Sequence, residues 1–221
     1  MGLLIREAWF ETNRLEAVVD FYAVAMKLSI ESRSGSHVCF RAGDSLLGFR
    51  RSKRRSIYHF AFNVSPDRLE EAVKLLRVWV DPIFSQATER IRFENWRADS
   101  YYFFDPVGNV IELIAREQLP PGSDGESIFV NVGEIGLALR PFVEERNQIA
   151  AATGLQVFRG SVSDDFTALG EEQGLLILAK EDRVWYPTDN VRASRRPCEI
   201  RMSGIAESWQ SADGLLKIVS V

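Results

Sequence analysis

Apolar and polar residues alternate in short runs along most of this chain, and each set of runs is broken once by a stretch with helical spacing. IREAWFET at residues 5–12 has period two, the rhythm of a strand with two unlike faces. After it, Leu15, Val18, Val19, Tyr22 and Met26 recur at steps of three and four, which predicts a helix with Asn13 as N-cap and Glu16 at the capping-box position. Short strands follow, ending in AGDSLLGFR. The pattern then restarts. IYHFAFNV at 57–64 predicts a strand, SPDRLEEAVKLLRVW a helix opened by Ser65 and Pro66, and RFENW, SYYFF and NVIELIA further strands. A third round begins with GEIGLAL at 133–139. Its helix, PFVEERNQIAAATG, stops at Gly154, and its strands are LQVFRG, DFTALG and GLLILAK. A last fragment, CEIRMSG to GLLKIVSV, has two strand-like runs and no helix.

Each complete round reads β-α-β-β-β, so the predicted fold class is α+β, built from three repeated modules and a partial fourth. EQLPPGSDGES, with its prolines, glycines and charges, predicts the main linker over 117–128. RRSKRR at 50–55 predicts a solvated connection between the first two rounds, with a substrate-facing anion site as the alternative.

Composition narrows the function classes without choosing one. With 221 residues, 46% hydrophobic, 26% charged and a net charge of −4, the chain has neither a nucleic-acid nor an anionic-membrane signature. No apolar run approaches the roughly 18 residues of a membrane helix. MGLLIREAWF lacks a signal-type basic and apolar sequence, so a cytoplasmic location is expected. Cys39 and Cys198 are too few and too far apart for a disulfide framework or zinc knot. Ser-His-Asp, Walker and GxGxxG arrangements are absent, which removes the hydrolase, NTPase and dinucleotide readings.

The chemistry concentrates in the second round. DPVGNVIE at 105–112 places Glu112 inside an otherwise apolar strand, sharing a face with Val110 and Ile114. A carboxylate there is costly unless it is paired, hydrogen-bonded or bound to a cation. In 58–64, His59, Ala61 and Asn63 share the small polar face, and Tyr58, Phe60, Phe62 and Val64 the apolar one. Setting EAWFET, HFAFNV and EIGLAL in line puts Glu7, His59 and Glu134 at one structural position. Setting AGDSLLGF against VGNVIELI puts Leu47 opposite Glu112, with Ile177 or a neighbouring leucine in the third round.

With DPVGNVIEL closing the second round and NRLEAVVDFYAVAMKL opening the first, the unit resembles the vicinal oxygen chelate superfamily. That group includes glyoxalase I, the bleomycin and fosfomycin resistance proteins and the extradiol ring-cleaving dioxygenases. The resemblance implies curled mixed sheets that pair two modules into a cup, with metal ligands on the first and last strands of each module. On that basis residues 1–116 are expected to form the site domain from modules one and two, with 129–221 holding the third module and the partial fourth. Glu7, His59 and Glu112 would then be the metal ligands, the fourth corner would be apolar, and Glu7 or Glu112 would serve as catalytic base. Trp9, Glu11, Trp96 and Tyr102 would line the substrate site. The third module is expected to hold no metal and to pack on the first half or across a homodimer. His-and-carboxylate donors suit a divalent metal (Mn, Fe, Ni, Zn or Mg), with the harder ions favoured. The expected function is a metal-dependent enzyme of the glyoxalase, bleomycin resistance and dioxygenase group acting on a small oxygen-bearing molecule. Isomerase or lyase, dioxygenase and thiol-transferase chemistry stay open. The alternative is a metal-free protein that binds or sequesters a small molecule.

Overall fold

The computed structural model describes residues 2–121 and 127–221, so the middle of the expected linker, 122–126, lies outside the described residues. Two mixed sheets carry the fold. The first runs β15 (Trp209–Gln210), β16 (Leu216–Ser220), β14 (Cys198–Ser203), β1 (Leu4–Thr12), β4 (Ser45–Arg51), β3 (His37–Ala42), β2 (Ser29–Arg33). The second runs β11 (Val157–Val162), β12 (Phe166–Glu171), β13 (Gly174–Lys180), β10 (Phe129–Leu139), β5 (His59–Val64), β9 (Val110–Arg116), β8 (Ala98–Phe104), β6 (Pro82–Ile83), with β7 (Arg90–Phe93) also on β8. An α+β arrangement without a closed barrel results.

Alternation along the strands explains how the sheets meet. Phe60 and Phe62 of β5 and Phe10 of β1 turn the same way into one shared core, and the Phe10 and Phe60 rings stack 4.9 Å apart. The first helix, α1 (Leu15–Val19), continues as a wider π-helical turn over Asp20–Ala25 and adds Tyr22 to that core. Its capping differs from expectation. Arg14 occupies the cap position, and the Thr12 hydroxyl, not Asn13, accepts the Arg14 amide. The second helix is shorter than its sequence suggests. Ser65 and Pro66 open a 3₁₀ turn at Pro66–Arg68, and α2 proper is Leu69–Leu76. The third, α3 (Phe142–Thr153), stops at Gly154, whose φ of 74° is the left-handed conformation that favours glycine there.

The sheet order differs from the expected pairing of modules. Residues 4–51 pair with 198–220 through β1 and β14, and 59–116 pair with 129–180 through β5 and β10. Rounds one and two therefore share a core but no sheet, and the division into 1–116 and 129–221 cuts across both sheets. No described helix is long and apolar enough to cross a membrane.

The turn before β9 is held by Asp105. One carboxylate oxygen accepts the amides of Val107 and Asn109 at 3.0 and 2.9 Å. The other accepts the Tyr22 hydroxyl at 2.9 Å and the Asn109 side-chain amide at 2.8 Å. Asp105→Ala would strand these donors in a buried place, so its expected cost is about 3 kcal/mol, measurable by urea unfolding. A loss below about 1 kcal/mol would mean that the turn holds without this anchor.

Candidate metal centre

The face of the second sheet turned away from the shared core carries the polar residues of β5, β9 and β10. Ala61 of β5 pairs with Glu112 on one side and Glu134 on the other. In-register partners share a face, so two carboxylates flank a single methyl group. His59 stands two residues before Ala61 on that same face. One donor atom from each of His59, Glu112 and Glu134 lies within 4.8 Å of the others, and all three residues are buried. His59 Nε2 and Glu112 Oε2 are 3.8 Å apart, too far for a hydrogen bond. The other ring nitrogen, Nδ1, lies 3.1 Å from the Val110 carbonyl. With the proton on Nδ1 donated to that carbonyl, Nε2 keeps its lone pair toward the carboxylate.

Burial dominates the electrostatics. It pushes the His59 imidazole down to about 4, so the ring is neutral around pH 7. It pushes Glu112 well above the usual carboxylate range, and the neighbouring charge of Glu134 pushes the same way. Ser100 and Tyr102, from β8, and Arg116 act in the opposite direction on Glu112. Glu134 is also raised by burial, against the pull of Arg116, which pairs with it.

Above the three residues opens a cleft of about 460 Å³ whose walls include Phe93, Trp96, Tyr102, Phe166, Trp185 and Tyr186. Trp185 covers His59 with ring centroids 5.1 Å apart. Gly136 permits this approach, since a Cβ there would sit 2.8 Å from the Trp185 ring. Trp96 is fixed by its indole N–H, which donates to the Ser161 hydroxyl at 2.9 Å.

No protein-family model matches the chain, and no curated protein matches it. Solved structures do. A candidate dioxygenase from Bacillus subtilis aligns over 96% of this chain and 71% of its own, with a TM-score of 0.63 and 14% identity. Glyoxalase I from Zea mays aligns over 91% and 75%, with a TM-score of 0.58 and 14% identity. The fold is that of the vicinal oxygen chelate proteins. At such identity the likeness is one of fold, and the chemistry has to be argued from the residues present.

The donor set suits the metal that a vicinal oxygen chelate fold implies. His59 is on the first strand of the second round, Glu112 on its last, and Glu134 on the first strand of the third. The fourth corner is Ile177, two strands from β5, which lines the cleft without a donor. Two ligand atoms sharing one ion at about 2.1 Å stand roughly 3–3.5 Å apart, close to the 3.8 Å between His59 and Glu112. Three donors and an open side match a metal that also takes a substrate.

Of the residues that the sequence singled out, His59, Glu112, Trp96 and Tyr102 meet in this cleft. Glu7, Trp9 and Glu11 do not. They lie on β1 in the first sheet, whose neighbours are β4 and β14. Glu7 accepts the Trp9 indole N–H at 3.0 Å and faces Arg201 at 3.7 Å. Trp9 lies flat on the backbone of β4, where a Cβ at Gly48 would come within 2.2 Å of its ring, and the Arg50 guanidinium covers it at 4.6 Å. Glu11 borders a recess of only about 110 Å³ beside Arg50 and Lys217. An indole and ion pairs thus fill the place where Glu7 was expected to bind metal. Beside His59 and Glu112 stands Glu134 instead, on a strand of the round that was expected to contribute no ligand.

Proposed function

We propose that this chain is a metal-dependent enzyme acting on a small oxygen-bearing molecule with a flat apolar part. His59, Glu112 and Glu134 would hold a divalent ion. The observation that carries this reading is the convergence of three buried donors at the foot of an aromatic cleft. A divalent ion supplies electrophilic stabilisation of negative charge on substrate oxygens. The residues supply the rest. Trp185 and Tyr102 keep bulk water from the donors, and the aromatic walls orient a planar ligand edge-first toward them. Glu112, ionised when it holds the metal and facing the same cleft, is the group placed to exchange a proton with bound substrate. One nitrogen and two carboxylates favour Mn²⁺, Fe²⁺ or Mg²⁺ over Zn²⁺. The first sheet, with its filled counterpart of the cleft, serves as scaffold.

A second reading has one specific support. Arg116 already balances one of the two carboxylates, so the cleft could work as a metal-free binding site for a small molecule. Thermal melting of chelator-treated protein with Mn²⁺, Fe²⁺, Ni²⁺, Zn²⁺ or Mg²⁺ separates the two. A metal at a hundred times its Kd should add about 2.7 kcal/mol of stability. No shift with any ion would leave the metal-free reading in possession of the site.

A further inference from the structure

Paired with one of the three donors is a buried residue that neither the motif nor the fold accounts for. Arg116, the last residue of β9, has no exposed surface. Its guanidinium is held on several sides. Nη2 donates to Glu134 Oε1, and Nε donates to Asn63 Oδ1 at 3.1 Å. The Trp96 and Phe158 rings each lie 5.6 Å from its central carbon. Asn63 is itself fixed, because its amide nitrogen donates to Asn131 Oδ1 and to the Glu172 carbonyl, both at 2.8 Å. A chain of hydrogen bonds therefore runs from the β10–β13 side through Asn63 and Arg116 to Glu134.

Stability alone is a poor reason for this arrangement. A buried ion pair rarely outperforms an apolar replacement of the same volume, and here the remaining nitrogen, Nη1, has no hydrogen-bond partner among the described residues. What the pair does accomplish is geometric. A planar fork that holds Asn63 through Nε and Glu134 Oε1 through Nη2 anchors that carboxylate oxygen relative to Asn63. A carboxylate accepts through two oxygens, so this grip does not use up Glu134 as a ligand.

We propose that Arg116 is the positioning residue of the metal centre, holding Glu134 aimed at the point it shares with His59 and Glu112. The inference rests on the metal reading given above. Outer-sphere partners of this kind typically contribute 10- to 100-fold in metal affinity.

The test is calorimetric titration of Mn²⁺ into chelator-treated protein, with apo melting temperatures recorded alongside. Arg116→Met should weaken Mn²⁺ by about 10- to 100-fold. Arg116→Lys should fail to restore it, because an ammonium lacks the rigid fork that reaches Asn63 and Glu134 together. In a Glu134→Gln background, adding Arg116→Met should change affinity by less than about threefold, since the route through Glu134 is already gone. That last comparison removes both charges of the pair together, so it does not depend on a variant with a stranded carboxylate. Arg116→Met that melts earlier but binds Mn²⁺ as wild type does would overturn the proposal. So would a second large loss of affinity in the Glu134→Gln background. Absence of Mn²⁺, Fe²⁺, Ni²⁺, Zn²⁺ and Mg²⁺ binding by the wild-type protein overturns the metal reading itself, and the role of Arg116 falls with it.

Discussion

Glu112→Gln is expected to lower the affinity of the chelator-treated protein for Mn²⁺ by about 100-fold or more, equivalent to about 2.8 kcal/mol. The amide keeps the size and shape of the side chain, so β9 and its pairing with β5 and β8 should survive. What disappears is a charged oxygen donor aimed at His59 Nε2 from 3.8 Å. Divalent ions depend on such charge, because a neutral amide offers a weaker oxygen ligand. Glu7→Gln is the matched control, the same chemical change on the other sheet. With Glu7 engaged by Trp9 and Arg201, its loss should leave Mn²⁺ affinity within about twofold of wild type. If Glu7→Gln reduced affinity as much as Glu112→Gln, the assignment of the centre to the second sheet would be wrong.

How far the sequence foretells this centre can be judged residue by residue. Alternation groups His59 with Ala61 and Asn63, and Glu112 with Val110 and Ile114. Only the family resemblance makes their strands neighbours, and in the structure Ala61 pairs with Glu112. The repeat alignment places Glu134 level with His59 and Ile177 level with Glu112, and the pair β10–β13 supplies those two residues beside β5. What the alignment does not carry is which round faces which. Register is a local property of a strand, whereas partner choice between strands tens of residues apart depends on the packing of the whole chain. Two local signs bear on it nonetheless. GEIGLAL offers a glycine, Gly136, beside His59, where a larger residue would displace Trp185. EAWFET and CEIRMSG carry charges that meet across β1 and β14, where Glu7 lies level with Arg201 and Trp9 with Glu199. Complementary charge in the first and last fragments, with small residues in the third, points to the observed pairing. Arg116 leaves no such trace, because a lone arginine at a strand end reads as solvent-facing until its burial is seen.

The stability of the metal-free protein should carry two opposed pH dependences, which offset each other where their windows overlap below pH 6.5 and leave a net fall above it. Folding lowers the His59 pKa from 6.5 to about 4, so between those values the unfolded chain binds the extra proton. Stability therefore rises with pH across that window and is lost as acid is added, by about 3 kcal/mol in all. Glu112 works the other way. Its folded pKa is raised, so above the ordinary carboxylate range the folded protein holds a proton that the unfolded chain has released, and stability falls as pH rises. Each pH unit of that interval costs about 1.4 kcal/mol. Urea unfolding in EDTA from pH 4 to 9 isolates both effects when variants are subtracted from wild type. Glu112→Gln should gain on wild type with rising pH until Glu112 ionises in the folded state, and His59→Gln should gain on it as pH falls below 6.5. Saturating Mn²⁺ should reverse the alkaline limb, since both carboxylates must then be ionised and metal binding releases the proton. A difference between Glu112→Gln and wild type that stays flat over this range, with and without Mn²⁺, would mean that Glu112 ionises like a surface carboxylate and is not the buried, cation-seeking group at the foot of the cleft.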